Sequence, residues 1–91
     1  MDGEIEAIVA RIKRILKQRV RPGLKLENVT AQTPILGEGL GLDSVAALEL
    51  VVGLEEEFDV VLDDSELSAD TFKSLASLAA HIASKTSAAR S

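Results

Sequence analysis

The sequence predicts an all-α domain, a four-helix bundle of three main helices and a short third helix, with a long first loop. Apolar residues recur at helical spacing in three separate segments, the pattern of amphipathic helices that share one core. The 91 residues suffice for one small domain. We expect residues 1–85 to form this single domain and residues 86–91, rich in Ser and Ala, to form a flexible tail.

The first helix is predicted over residues 4–20. Glu4 and Glu6 lie near its start and Lys17 and Arg19 near its end, the arrangement that complements the helix dipole. Pro22 and the following glycine then end it. The apolar stripe that should face the core consists of Ile5, Ile8, Val9, Ile12, Ile15 and Leu16.

The segment 21–42 is a long loop without a sustained period. It contains two prolines, four glycines and seven aliphatic residues. Loops of this length are either functional or packed down by their own side chains. The aliphatic residues favour packing, and they are Leu24, Leu26, Val29, Ile35, Leu36, Leu40 and Leu42.

The second helix is predicted over residues 44–58, and at 100° per residue its positions divide into two faces. The apolar arc expected to face the core holds Ala47, Leu48, Leu50, Val51, Leu54 and Phe58. The opposite face holds Val45, Glu49, Val52 and Glu56. Two valines together with two glutamates suit a small docking patch, although single exposed valines are also ordinary. Gly53 would cost this helix about 1 kcal/mol relative to alanine.

The remaining chain predicts one short and one long helical element. An extended link over 59–62 precedes a single capped turn at 63–67. Asp70 or Thr71 then caps a last helix that fades after Lys85. Its apolar face carries Phe72, Leu75, Leu78, Ala79 and Ile82, and Phe58 and Phe72 are the only large rings available to the core.

Composition excludes several classes of function. The chain has no cysteine, so thiol chemistry has to come from an added group. Two Phe, no Trp or Tyr and a net charge of −5 argue against binding nucleic acid. No apolar run is long enough to span a membrane, and we expect a cytoplasmic monomer. Residues 31–70 carry eleven carboxylates and no cation, a field that attracts basic partners.

The sequence matches none of the common catalytic or ligand-binding motifs. The run GEGLGLDS lacks the spacing of a dinucleotide fingerprint and the lysine of a P-loop, and the serine lacks the flanking glycines of a nucleophile elbow. His81 is expected to be an exposed histidine on the polar side of the last helix. The acidic residues at 59–66 lack the spacing of a calcium loop. We therefore expect no catalytic residue and no metal site.

Ser44 is the remaining candidate for a functional residue. Either Asp43 or Ser44 could cap the second helix, a role that stabilises by about 1 kcal/mol. If Asp43 is the cap, the Ser44 hydroxyl in the first turn is free. A phosphoester there would lie at the positive end of the helix dipole, beside unpaired backbone amides.

The residues around this serine resemble the attachment motif of the acyl carrier protein family. That motif is an Asp-Ser-Leu-like triplet at the start of the second helix, preceded by a Leu-Gly-x segment. The matching residues are Leu40, Gly41, Leu42, Asp43, Ser44 and Val45. Leu48-Glu49-Leu50, the run EEEF at 55–58 and Asp70-Thr71-Phe72 extend the likeness over nearly the whole chain.

The resemblance implies a non-catalytic carrier with an acyl-carrier type of bundle. A phosphopantetheinyl transferase would move 4′-phosphopantetheine from coenzyme A to Ser44, and the arm would carry acyl groups as thioesters. Acyl-transferring and acyl-modifying enzymes with basic docking patches would bind the second helix. The implied recognition residues are Asp43, Val45, Glu49, Val52 and Glu56, with Glu38 and Glu55 nearby. The acyl chain would tuck in between the second and third helices.

One departure from the family pattern bears on the pathway. Carriers of fatty-acid synthesis usually have an acidic residue just after the triplet, where this chain has Ala46 and Ala47. Within the general expectation of a carrier for fatty acid, polyketide or related lipid biosynthesis, this argues against the standard fatty-acid elongation enzymes and favours a specialised carrier of polyketide, lipid-modification or secondary pathways. An aminoacyl or peptidyl carrier is an alternative, but its Gly and His before the serine are replaced by Leu42 and Asp43. An unmodified acidic helical adaptor, with Ser44 as a cap, is a second alternative.

Overall fold

The computed structural model describes residues 3–36 and 39–90, and the side chains of these as far as residue 86. Its elements are α1 (Gly3–Ile15), a π-helical turn (Leu16–Val20), α2 (Ser44–Phe58), a 3-10 turn (Asp64–Glu66) and α3 (Leu75–Arg90). The described residues contain three α-helices and no strand, so the predicted all-α class is confirmed. One 3-10 turn stands where the sequence predicts a short third helix.

Helix α1 and its continuation follow the predicted stripe. Ile8, Val9, Ile12 and Ile15 are buried, and Leu16 in the π turn is completely buried. The helix therefore covers the predicted range to Val20, but its last turn is π-helical, and the Arg21 amide donates to the Leu16 carbonyl at 2.8 Å.

The core lies where α1, α2 and α3 meet, and it is almost entirely aliphatic. Residues with no exposed surface include Ile12, Leu50, Leu54, Leu78 and Ile82. Phe72 is 7% exposed and belongs to this core. Phe58 lies at its margin, half-buried, with the Arg11 guanidinium carbon 4.2 Å from its ring centroid. The prediction of two aromatic rings in the core is therefore correct for Phe72 but not for Phe58.

The long loop is packed, as its aliphatic residues predict. Ile35, Leu40 and Leu42 are buried. The loop also satisfies the start of α3, because the Leu75 amide donates to the Thr33 carbonyl at 3.1 Å and the Ala76 amide to the Ala31 carbonyl at 2.8 Å. First-turn amides have no partner within their own helix, so these bonds fasten the loop to α3.

The start of α3 corrects a prediction. The Ser77 amide donates to the buried Ser74 hydroxyl at 3.0 Å, the bond of a helix N-cap. Neither Asp70 nor Thr71 caps this helix, because the Thr71 amide instead donates to the Ser68 hydroxyl at 3.3 Å in the preceding turn. Phe72 consequently precedes the helix. The backbone stays helical to Arg90, and the flexible tail at 86–91 stays a prediction.

Gly53 allows α2 to approach the end of α1 closely. A Cβ atom at this position would lie 2.7 Å from Ile15 Cγ2 and 3.4 Å from Arg19 Cδ. Ile15 is buried and β-branched, so its methyl group has little freedom to move away. The close contact explains a glycine in the middle of a helix.

We predict that Gly53→Ala lowers the free energy of unfolding, as measured by urea denaturation. Overpacking a core costs about 1–3 kcal/mol, which outweighs the gain of about 1 kcal/mol that alanine has over glycine in a helix. Ile15→Leu removes the Cγ2 methyl group and should recover part of the loss in the double variant. Gly3→Ala is the control, since its added Cβ would meet nothing within 4 Å. A Gly53→Ala protein as stable as wild type would contradict this packing argument.

Candidate functional site

Asp43 caps helix α2. Its backbone is extended, with φ −87° and ψ −177°, and its Oδ1 atom accepts a hydrogen bond from the Ala46 amide at 2.8 Å. This confirms the interpretation in which Asp43, rather than Ser44, is the cap. A cap of this kind stabilises a helix by about 1 kcal/mol.

Ser44 is the first residue of α2 and its side chain is exposed. Its hydroxyl has no hydrogen-bond partner among residues 3–36 and 39–90. The first-turn amides of α2 and the positive end of its dipole lie at this serine. The hydroxyl is therefore accessible, is not used by the fold, and lies where a phosphoester charge is tolerated.

The loop in front of α2 holds this serine in place. Leu40 and Leu42 are buried on either side of Gly41, which has a φ of 70° that suits glycine. The Leu40 amide donates to the Pro34 carbonyl at 2.8 Å, and the Leu42 amide to the Ile35 carbonyl at 3.4 Å. Two anchored leucines thus lead directly into the Asp43 cap.

An apolar pocket of about 550 Å³ opens beside Ser44. Helix α2 supplies one wall, and the loop before it and the residues leading to α3 supply the others. Its lining residues are Leu36, Leu42, Asp43, Ser44, Ala47, Leu48, Val51, Leu67 and Phe72. A space of this size and polarity suits an aliphatic ligand.

The position of Leu48 corrects the predicted core arc. Leu48 is 60% exposed, whereas Ala46, outside that arc, is 6% exposed. At 100° per residue, Leu48 lies about 160° around the helix from Leu50, which has no exposed surface. The predicted arc was too wide, and Leu48 lies between the pocket and the outer face of α2.

The predicted recognition residues of α2 lie on its exposed side. Val45, Glu49, Val52 and Glu56 are all exposed. Glu55 is half-buried, and its Oε2 atom accepts a hydrogen bond from the Leu62 amide at 2.8 Å. Glu38 lies outside the described residues. That partners recognise these residues stays a prediction.

The basic first helix neutralises the acidic end of α2. Arg11 Nη2 lies 2.8 Å and Arg14 Nη2 3.4 Å from Glu57 Oε2, and Arg19 forms an ion pair with Glu56. The hydrogen bond from Arg11 is the main cause that lowers the pKa of Glu57. Three consecutive glutamates at a helix C-terminus oppose the dipole, so these cations of the first helix offset an unfavourable arrangement.

A second charged cluster joins the 3-10 turn to α3. His81 Nε2 lies 2.6 Å and Lys85 Nζ 2.8 Å from Glu66 Oε1, and the Asp63 amide donates to Glu66 Oε2 at 2.9 Å. His81 is therefore half-buried and paired, and the prediction of an exposed histidine is wrong. The residue after Glu66 is Leu67 in the pocket wall, so the cluster holds that wall against α3.

Two further observations concern other kinds of site. In the part of the chain that the structure describes, no three His, Cys, Asp or Glu side chains are grouped so that they could hold a metal ion. None of the described helices combines the length and the apolar character needed to cross a membrane.

Comparison with known proteins identifies the class to which this site belongs. A family model for the phosphopantetheine attachment site matches residues 6–82. An acyl carrier protein of Desulforapulum autotrophicum is 32% identical over 60 residues, which are 66% of this chain and 75% of that protein. No solved structure matches. The chain belongs to the acyl carrier protein family of phosphopantetheine-binding domains, and its cofactor is a covalently attached 4′-phosphopantetheine.

We predict that Glu66→Gln changes how stability depends on pH. The hydrogen bond from Lys85 is the largest of the causes that lower the pKa of Glu66 from 4.5 to about 2, followed by those from Asp63 and His81. A lowered pKa means that the ionised group stabilises the fold above pH 4.5 and that this contribution is lost as pH falls through about 2. Urea midpoints of wild type should exceed those of Glu66→Gln above pH 4.5, and the difference should disappear near pH 2.

Glu6→Gln is the control for this experiment because Glu6 is exposed on α1. Its urea midpoints should follow those of wild type at every pH. A difference between wild type and Glu66→Gln that stays constant across the acid range would contradict the role of the ionised Glu66.

Proposed function

We propose that Ser44 is the residue that carries the 4′-phosphopantetheine and that the chain presents acyl groups on it to partner enzymes. The observation that carries this proposal is the division of roles at the start of α2. Asp43 bonds the Ala46 amide, which leaves the exposed Ser44 hydroxyl for a transferase. The thiol of the bound cofactor supplies the thioester chemistry that a chain without cysteine lacks.

The residues around Ser44 fit this cofactor. The N-terminal amides and dipole of α2 favour the phosphoester charge. The apolar pocket beside the serine would take up an acyl chain, since Leu42, Val51 and Phe72 line it. This position, against α2 and the segment that leads into α3, is consistent with the expected path of the chain in an acyl-carrier type of bundle.

Two groups of partners follow from this role. The first is a phosphopantetheinyl transferase, which would supply the cofactor from coenzyme A. The second consists of acyl-transferring and acyl-modifying enzymes of fatty acid, polyketide or related lipid biosynthesis, and they would dock on the face with Val45, Glu49 and Val52. Ala46, at the position of the usual acidic residue, favours a specialised pathway.

The proposal is tested by intact mass after incubation of the apo-protein with coenzyme A and a promiscuous transferase. Wild type should gain the mass of one 4′-phosphopantetheine, and Ser44→Ala should gain none. Ser65→Ala is a matched control, because Ser65 is also an exposed serine that follows an aspartate in the first turn of a helical element. It should gain the same mass as wild type.

Two results would remove Ser44 from this role. One is an equal gain of mass in Ser44→Ala, which would place the cofactor elsewhere on the chain. The other is the absence of any gain in wild type while a known acyl carrier protein in the same assay is modified.

A further inference from the structure

A shallow apolar groove lies on the outer face of α2. Val45 is 68%, Leu48 60% and Val52 44% exposed. Together with Glu49 of the same helix and Arg19 of the π turn they line a groove of about 280 Å³. The groove is an apolar strip with one anion and one cation in its lining.

The glutamates of α2 differ in whether their carboxylates are free to bind a partner. Glu55 accepts the Leu62 amide, Glu56 pairs with Arg19, and Glu57 pairs with Arg11. Glu49 is exposed and has no such partner among the described residues. Although α2 has four glutamates, its outer face therefore offers one fully available carboxylate beside the groove.

Arg19 has two effects on this face. It neutralises Glu56, and it places a guanidinium whose side chain is 44% exposed in the lining of the groove. A partner with a broad basic patch would bring a cation against this guanidinium. Repulsion of this kind discriminates between partners because it slows encounter and weakens the wrong complex.

We propose that Arg19 is a specificity-determining residue of this docking face, an inference that rests on the proposed carrier function. The partner that fits is an enzyme that acts on the carrier-bound group and has a docking surface with the following features. It offers an apolar side chain to the groove, a single Lys or Arg to Glu49, and no cation opposite Arg19. The π turn thereby takes part in partner selection, although it is remote in sequence from Ser44.

The test uses a promiscuous phosphopantetheinyl transferase whose carrier-binding surface is broadly basic, and it measures KM and kcat for the apo-protein. Arg19→Gln removes the opposing cation and releases Glu56, so KM should fall by about threefold to fivefold at low ionic strength. The change should fade in high salt, since salt screens exposed charges. It should affect KM more than kcat because Arg19 acts on docking.

Lys17→Gln is the matched control. Lys17 is an exposed cation of the same π turn that does not line the groove, and its removal changes the net charge by the same amount. Its KM should stay within about twofold of wild type, as expected for a surface charge without a specific contact. The double variant of Arg19→Gln with Glu56→Gln should lose the gain, because the released carboxylate is then missing.

Circular dichroism verifies that each variant is folded. If Arg19→Gln is unstable, Arg19→Met takes its place, because methionine keeps an unbranched stem beside Gly53. Equal KM values for the Arg19 and Lys17 variants, or a higher KM for Arg19→Gln, would overturn the inference. A wild-type protein that is not modified at all would instead refute the proposed function.

Discussion

The hydrogen bond from the Ala46 amide to the Asp43 carboxylate determines where helix α2 begins. Everything at the site depends on that boundary. Because Asp43 is the cap, Ser44 becomes the first helical residue, exposed and with no hydrogen bond from its hydroxyl to the part of the chain that the structure describes. Burial of the apolar face of α2 then places Leu50 and Leu54 in the core, Val51 at the pocket and Val45 at the outer groove.

The long loop and the charged residues hold this arrangement in place. Carbonyl groups of Ala31 and Thr33 bond the first amides of α3, while Leu42 is buried just before the cap. At the other end of α2, cations of the first helix offset a run of glutamates that opposes the helix dipole. Among the four glutamates of α2, Glu49 is therefore the one that is exposed and has no such partner among the described residues.

Much of this could be predicted from the sequence, because local patterns determine it. Helical spacing predicted α1 and α2, and the Asp-Ser pair at 43–44 predicted a capped helix start, although only the structure shows that Asp43 is the cap. The rest depends on contacts between residues distant in the chain. The sequence places Leu48 in the core because a helical wheel does not show where the neighbouring helices stop. It predicts an exposed His81 because the partner of that residue, Glu66, is 15 positions away. The Ser74 cap could have been recognised from the serine just before the apolar run of α3.

The central claim is that the fold uses Asp43 and leaves the Ser44 hydroxyl to the cofactor. The free energy of unfolding of the apo-protein, measured by urea denaturation for Asp43→Ala and Ser44→Ala, tests it most directly. We predict that Asp43→Ala loses about 1 kcal/mol, the usual cost of removing a cap. Ser44→Ala should stay within about 0.5 kcal/mol of wild type, as exposed substitutions do. A loss in Ser44→Ala as large as that in Asp43→Ala would show that the hydroxyl serves the fold, and would contradict the claim.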